Sequence, residues 1–363
     1  MTMRGNVLHD WDWGPLVLGL LGCLFSCGCE SARFYAQAVH GQVGLLRDRE
    51  PIVALLEQGD SETQRHETLK LVQEVKGFAE QAMSLAAGGS YETYVHLDRD
   101  YVVWNVAVCD EFELRPRSWW YPVVGRLEHR GYFRERSARR YAAQQERRGR
   151  DVAVGGVVAY STLGWFRDPV LSTFLGLSDI ELVELVLHEL AHTRLFISGD
   201  TELNEAFAVS VAESGVMHWL EARGEARRLL DYRRGLANRK TFMALVEELR
   251  QTLERTYDEG ERSGASLESR RRDKQACIDS FREQFDRRCR EVDGLERYRP
   301  WVDASMNNAT ISVLDTYYRW VPQFRALLAR SESYSAFYES VRQMKRLSRS
   351  ERRTALSGQS IEE

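Results

Sequence analysis

The sequence predicts an α+β fold that is mostly helical, with a small sheet flanking one short helix at residues 182–196. Apolar residues recur at helical spacing over much of the 363 residues. Two stretches, residues 101–108 and 151–159, are rich in β-branched, aromatic or glycine residues and indicate strands. A hydrophobic share of 43% is enough for one large domain or two modest ones.

One domain is expected over residues 30–347, because no repeat or low-complexity linker interrupts this stretch. Its parts are an N-terminal helical and strand part (30–150), a core part (151–224) and a C-terminal helical part (225–347). The first part begins with two helices, and a third helix is expected around residues 134–147. The tail, residues 348–363, is polar, and we expect it to be disordered.

Two histidines lie four positions apart in the short helix, in the run His188-Glu189-Leu190-Ala191-His192. Positions four apart lie on one face of a helix, so His188 and His192 can offer two imidazole nitrogens to one metal ion. Glu189 projects from the next position, where it can orient and deprotonate a water bound to that metal. This HExxH pattern predicts a catalytic zinc site.

The surrounding sequence indicates how a third ligand reaches this site. Ser178 and Glu181 have the spacing of a capping box, and Gly199 follows the end of the helix. A second amphipathic helix, about residues 202–222, follows a short turn, so its first turn comes back toward the first helix. Glu205 is thus placed as the third ligand of one zinc ion, with water in the fourth position. The alternative is a pair of packed helices with hydrogen-bonded histidines and a capping glutamate.

The expected chemistry is peptide-bond hydrolysis by attack of a zinc-bound water. Glu189 would accept the proton of that water and return it to the leaving amine. The carbonyl oxygen also needs a donor besides zinc. Tyr160 is the first candidate, because its segment precedes the zinc helix and is expected to line the cleft, and Tyr317 is the second. For each of them, an ordinary core or rim tyrosine is the alternative.

Two polar residues near the turn between the helices have two interpretations each. Asp200 either accepts the free N–H of a zinc-bound imidazole or caps the second helix. Asn204 either orients Glu205 or caps the same helix, and the sequence does not separate these roles.

Residues 1–29 have the composition of a processed leader. Arg4 precedes an apolar run at residues 15–25, which is too short to span a bilayer and is typical of a secretory signal peptide. A short uncleaved anchor is the alternative. Cys23, Cys27 and Cys29 follow small residues, as in the leaders of bacterial lipoproteins.

Charge and cysteine usage restrict the remaining possibilities. The net charge is −4 with both signs mixed along the chain, which argues against a nucleic-acid partner. Beyond the leader only Cys109, Cys277 and Cys289 remain, and the last two lie too far apart along one predicted helix to form a disulfide.

The chain as a whole resembles a bacterial family of predicted zinc aminopeptidases that are usually lipoproteins, over residues 34–328. The zinc motif followed by Asn204-Glu205-Ala206-Phe207-Ala208 is also similar to the gluzincin class of zinc peptidases. Besides the zinc motif with Gly199-Asp200-Thr201, the segments that carry the resemblance are Gln37-Ala38-Val39-His40-Gly41-Gln42, Gly89-Ser90-Tyr91, Val103-Trp104-Asn105-Val106, Arg130-Gly131-Tyr132-Phe133, Ala159-Tyr160-Ser161-Thr162-Leu163-Gly164-Trp165-Phe166 and Asn307-Asn308-Ala309.

The resemblance implies a zincin-like fold, one zinc ion and aminopeptidase activity on peptide substrates. It also implies a lipid anchor on the periplasmic face of a membrane, expected to be the outer membrane. The spacing in the family favours Cys29 for lipidation, although Cys23 and Cys27 fit the lipobox consensus better. Asn308 is implied as a contact to the substrate backbone.

Two alternatives to an aminopeptidase stay open at this point. The residues alone do not separate an exopeptidase from an endopeptidase, because the carboxylate that would pair with a substrate's free α-amine is not identified. A helical lipoprotein with a structural zinc site is the non-enzymatic alternative. The intact Glu189 argues against it, since a structural site has no use for a base there.

Overall fold

The structure, a computed structural model, describes residues 34, 37–38, 40–58, 63–121, 125–159 and 167–358. It consists of two units, Met1–Arg47 and Asp48–Glu363. In the first unit, the described residues 40–47 form helix α1. The elements described below belong to the second unit.

Helices make up most of the described part of the second unit. The first three are α2 (Ile52–Glu57), α3 (Thr63–Met83) and α4 (Glu135–Glu146), and the two that carry the predicted ligands are α5 (Asp179–Arg194) and α6 (Thr201–Ala222). The C-terminal part contains α7 (Ala226–Arg262), α8 (Leu267–Cys289), α9 (Arg299–Asp303), α10 (Asn308–Tyr318), α11 (Val321–Ala329), α12 (Tyr334–Gln343) and α13 (Arg349–Ser357). No described helix has the length and hydrophobicity that a membrane span needs.

The described strands form three small sheets rather than the single sheet that the sequence predicts. Their orders are β1 (Glu50–Pro51), β2 (Thr93–Val95), β8 (Val170–Leu171); β6 (Arg130–Tyr132), β3 (Val103–Asp110), β7 (Arg150–Val157); and β4 (Trp119–Tyr121), β5 (Gly125–Leu127). The two predicted strands are β3 and β7, which pair antiparallel along their full length. Strand β7 lies at the edge of its sheet and packs against α10.

Helices α5 and α6 pack against each other and carry the predicted ligands. The predicted capping box of α5 is confirmed: the Ser178 hydroxyl accepts from the Glu181 N–H, and the Glu181 carboxylate accepts from the Ser178 N–H at 2.9 Å. At Gly215 of α6, an added Cβ would come within 2.6 Å of Leu187 Cδ1. A glycine here lets the two helix backbones approach closely, which fixes the relative position of their side chains.

The C-terminal helices form a second part of the core. Helix α8 contains many charged residues. Ile278, Phe281 and Phe285 nevertheless lie on one face of it and are buried against α7. Helix α10 packs on α6 and also on strands β3 and β7. It therefore bridges the sheet and the helix pair that carries the ligands.

The predicted disorder of the tail is wrong for Arg349–Ser357, which forms helix α13. Ser348 and Glu351 cap this helix, and Leu356 is fully buried. The Arg352 guanidinium donates to the Asp200 carboxylate at 2.7 Å, and both side chains are buried. The prediction from polar composition failed because Arg352 and Arg353 form ion pairs with Asp200, which lies far away in the sequence. Residues 359–363 lie outside the described residues.

Candidate metal centre

Side chains from α5 and α6 converge at the turn between the two helices. The Nε2 atoms of His188 and His192 are 3.1 Å apart. Glu205 reaches across from the first turn of α6, with Oε2 3.4 Å from His188 Nε2 and Oε1 3.7 Å from His192 Nε2. In the described part of the chain, these three residues form a group whose ligand atoms all lie within 4.8 Å of one another.

These distances fit a single tetrahedral ion. Zinc binds imidazole nitrogen and carboxylate oxygen at about 2.0–2.1 Å, which places neighbouring ligand atoms about 3.3 Å apart in a tetrahedron. The separations of 3.1, 3.4 and 3.7 Å bracket that value. Two imidazoles and one carboxylate are also a ligand set found in catalytic zinc sites. The residues present therefore fit a zinc ion.

The electrostatics of the site favour the ligand forms that bind metal. Burial lowers the pKa of His192 to about 4, so its ring is neutral. Burial alone would raise the pKa of Glu205, but its interactions with His192 and His188, including a hydrogen bond to His188, lower the pKa by more, so Glu205 is ionised. For His188, burial lowers the pKa, while its hydrogen bond to Glu205 and the charge of that carboxylate raise it by more. Glu205 thus favours the protonated form of His188, and binding of a metal ion would require His188 to lose that proton.

Glu189 lies beside His188 on α5 and is half-buried. Burial raises its pKa to about 7, with Glu205 and Asp168 adding to the rise and His188 opposing it. A carboxyl group with a pKa near 7 takes up and releases a proton readily at neutral pH. This is the property that the predicted role of general base requires.

Tyr317 on α10 faces the same site. The negative charge of Glu205, then burial, then the charge of Glu189 raise the pKa of its phenol well above the usual value. The hydroxyl group therefore stays protonated and can donate a hydrogen bond. Tyr160, the first candidate for this role, lies outside the described residues.

Two residues near the site, Glu128 and His129, are not identified by any spacing in the sequence. They follow β5, which lies against the α5–α6 turn: Gly125 has φ +80°, and a Cβ there would overlap the Ser198 hydroxyl. The pKa of His129 is lowered by burial, and the charge of Glu205 acts against that shift. His129 and Glu205 are thus brought close together by packing of the hairpin on the turn, which no local pattern signals.

Asp200 has neither of its predicted roles in the described structure. It occupies the cap position of α6, but its side chain makes no capping hydrogen bond. Its buried carboxylate instead accepts from Arg352 and from Arg353, each at 2.7 Å. Because both guanidinium groups belong to α13, Asp200 anchors the C-terminal helix to the start of α6.

Asn204 braces the turn one position before Glu205. Its Oδ1 accepts from the Ile197 N–H and its Nδ2 donates to the Ile197 carbonyl, both at 2.8 Å. This pair of bonds replaces the predicted cap of α6. It positions Glu205 indirectly, because it ties the first turn of α6 to the chain that leaves α5.

Asn308 makes its side-chain hydrogen bonds within the fold. Its side chain is fully buried. Its amide accepts from the Tyr257 hydroxyl at 2.8 Å and donates to the carbonyls of Asp110, Glu111 and Glu113. We therefore replace the implied substrate contact by a structural role, in which Asn308 holds the start of α10 against the end of β3.

The sequence similarity to a known protein family covers most of the chain. No curated protein and no solved structure matches the chain. A family model described as "Putative aminopeptidase" matches residues 33–356, a span that includes α5, α6 and α10 in full. Since the match covers far more than half of the 363 residues, the chain belongs to this aminopeptidase family.

Proposed function

We propose that the chain is a zinc-dependent aminopeptidase that hydrolyses peptides from their amino-terminal end. The observation that carries the zinc part is the convergence of His188, His192 and Glu205 with Glu189 beside them. Membership of the family supports the peptidase part. A zinc ion held by such a ligand set lowers the pKa of a water toward ~7 and polarises a substrate carbonyl.

Glu189 moves the proton in this proposal. Its carboxylate accepts a proton from the attacking water and passes it to the leaving amine nitrogen as the peptide C–N bond breaks. One proton is taken up and one is released, so Glu189 ends the cycle in its starting form. A pKa of about 7 suits both halves of this cycle.

Tyr317 stabilises the charge that develops on the carbonyl oxygen. Its hydroxyl stays protonated, and Glu205 and Glu189 lie near enough for their charges to raise the pKa of its phenol. A preorganised hydrogen-bond donor at this position lowers the barrier of the attack rather than strengthening binding of the substrate.

The substitution Glu189→Gln tests the proposed function. The amide has the shape of the carboxylate but cannot accept the proton, so hydrolysis of an unblocked aminoacyl reporter should fall by about 10²- to 10⁴-fold. Bound zinc, measured by metal analysis, should stay unchanged because Glu189 is not a ligand. Glu181→Gln, in the first turn of the same helix, is the matched control, since glutamine also serves in a capping box. Wild-type activity in Glu189→Gln would exclude the mechanism.

We also propose that the mature chain is a lipoprotein, acylated at Cys29 and held on the periplasmic face of the outer membrane. The composition of the leader and the family resemblance support this, and the leader lies outside the described residues. Mass analysis of the mature amino terminus tests it. We expect an acylated Cys29 as the first residue, and an unmodified terminus would contradict the proposal.

A further inference from the structure

A cavity of about 350 Å³ lies between the sheet and helix α10. Its walls are the edge strand β7, with Val154 and Gly155, and helix α10, with Val313 and Tyr317. This volume is within the range of pockets that bind small ligands. We call it the strand–helix cavity.

The strand–helix cavity adjoins the metal centre. Tyr317 and His129 both line it, and the charge of Glu205 acts on the pKa of each of these side chains. A molecule bound in the cavity therefore lies next to the residues that would hold the reacting carbonyl.

Most residues that line the cavity are apolar or uncharged, and Glu128 contributes a carboxylate. All the lining residues are described, and Glu128 is the acidic residue among them. Its Oε2 is buried and has no hydrogen-bond partner in the described part of the chain. Its Oε1 is 3.8 Å from the Arg349 guanidinium, which is too long for a hydrogen bond. Glu128 thus lines the cavity with a carboxylate that has Arg349 as a neighbouring cation and one buried oxygen without a hydrogen-bond donor.

The pKa of Glu128 agrees with this geometry. Burial and the charge of Glu202 raise it, and the neighbouring Arg349 and Arg353 do not reverse the shift. A buried carboxylate in this position gains more from an added cation than an exposed one does, because water no longer screens the pair.

We propose that the strand–helix cavity binds the amino-terminal residue of a peptide, with Glu128 accepting hydrogen bonds from its α-ammonium and with β7 and α10 contacting an apolar side chain. The inference rests on the proposed function and deepens it, since it names the residue that makes the enzyme an exopeptidase. An α-ammonium would supply N–H donors to the unpaired oxygen of Glu128 and a positive charge in addition to that of Arg349. Because its nitrogen is two bonds from the first carbonyl carbon, binding here places the first peptide bond beside the metal centre.

Equilibrium binding tests the role of Glu128 without turnover. The zinc-loaded full chain carrying Glu189→Gln is titrated calorimetrically with leucinamide and with N-acetyl-leucinamide. We expect the free amine to bind about 10- to 100-fold more tightly than the blocked one, as a charged hydrogen bond provides. Adding Glu128→Gln should remove this preference. Glu202→Gln should keep it, because Glu202 pairs with Arg349 and Arg353 but does not line the cavity.

Gly155→Leu tests the apolar part of the cavity. Gly155 lines the cavity, and an added Cβ there meets no atom within 4 Å, so we expect a leucine side chain at this position to occupy part of the cavity. We expect phenylalaninamide to bind about tenfold more weakly, which is the scale of losing a few buried methylene groups, while glycinamide binds unchanged. Unchanged binding of phenylalaninamide would overturn the assignment of the pocket.

The outcomes separate this inference from the proposed function. Equal binding of the two leucinamides by the parent, or a preference that survives Glu128→Gln, would overturn the role of Glu128 even if the wild-type chain hydrolyses peptides. A Glu128-dependent preference in a chain whose wild type hydrolyses nothing would support the binding site and overturn the proposed function. Circular dichroism of each variant confirms that it is folded.

Discussion

Glu189 and His192 lie on the same helix, and burial shifts their pKa values in opposite directions. A carboxyl group is harder to ionise away from water, and an imidazole is harder to protonate. The same environment therefore keeps His192 neutral, as a ligand must be, and gives Glu189 a pKa near 7. One buried helix is sufficient to set both properties.

At the scale of single residues, the sequence predicts those site residues that are identified by their spacing along one helix. His188, Glu189 and His192 are found because four positions make one turn of a helix. Glu128 and His129 are not found, because their position depends on how the β4–β5 hairpin packs against the distant turn between α5 and α6. Asn308 is misassigned because buried and exposed asparagines have the same appearance in a sequence.

We expect Tyr317→Phe to lower kcat by about 10²- to 10³-fold, because the substitution removes a donor that acts on the developing oxyanion. The zinc content and the KM for an unblocked reporter should change little, since the ring and its packing are retained. Steady-state kinetics and metal analysis of the same preparation check this. Tyr334→Phe, which removes a hydroxyl bonded to Ser214 away from the metal centre, is the control. Equal kcat values in both variants would remove Tyr317 from the mechanism.

At the scale of elements, the turn between α5 and α6 determines whether Glu205 reaches the histidines. The capping box sets where α5 begins, and Gly199, with φ 76°, permits the turn that precedes α6; both are local signals that the sequence shows. The strands of two or three residues are too short to show an alternating pattern, so β1, β2 and β8 are not predicted. Their pairing depends on contacts between distant segments.

We expect Asn204→Ala to destabilise the fold by about 2–4 kcal/mol, because it removes two buried hydrogen bonds to the backbone of Ile197. The affinity for zinc should fall as well, because Asn204 precedes the ligand Glu205 in the chain and its loss lets that side chain move. Chemical denaturation and zinc titration measure the two effects. Asn238→Ala, which removes a single accessible bond to the Asp293 carbonyl, should cost less than about 1 kcal/mol. If the two variants are equally stable, Asn204 does not brace the turn.

At the scale of the whole molecule, helix α13 is tied to the start of α6, the helix that carries Glu205. Arg352 and Arg353 contact Asp200, from which they are separated by 152 and 153 residues. Arg353 also lies over the ring of Trp320 at 4.9 Å. The polar composition of residues 349–357 predicts disorder because Arg352 and Arg353 have no partner nearby in the sequence. Their partner is Asp200, and a single sequence does not reveal a contact between residues so far apart.

We expect truncation after Leu347 to destabilise the fold by about 3–5 kcal/mol, because it leaves the buried Asp200 carboxylate without its guanidinium partners. Truncation after Gly358, which keeps α13 and its contacts with Asp200, is the reference chain. Adding Asp200→Asn to the shorter chain should recover part of the loss, since it removes the uncompensated charge. The midpoint of urea unfolding checks all three chains, and an unchanged midpoint after the first truncation would contradict this role of α13.

Zinc titration of the metal-free chain tests the central claim most directly, because every proposed step depends on an ion held by His188, His192 and Glu205. We expect about one zinc ion per wild-type chain, and an affinity at least about 100-fold lower in His192→Ala and in Glu205→Ala. Glu202→Gln, one turn before Glu205, should bind zinc as the wild type does. A wild-type chain that binds no zinc, or a Glu205→Ala chain that binds it equally well, would contradict the proposed metal centre.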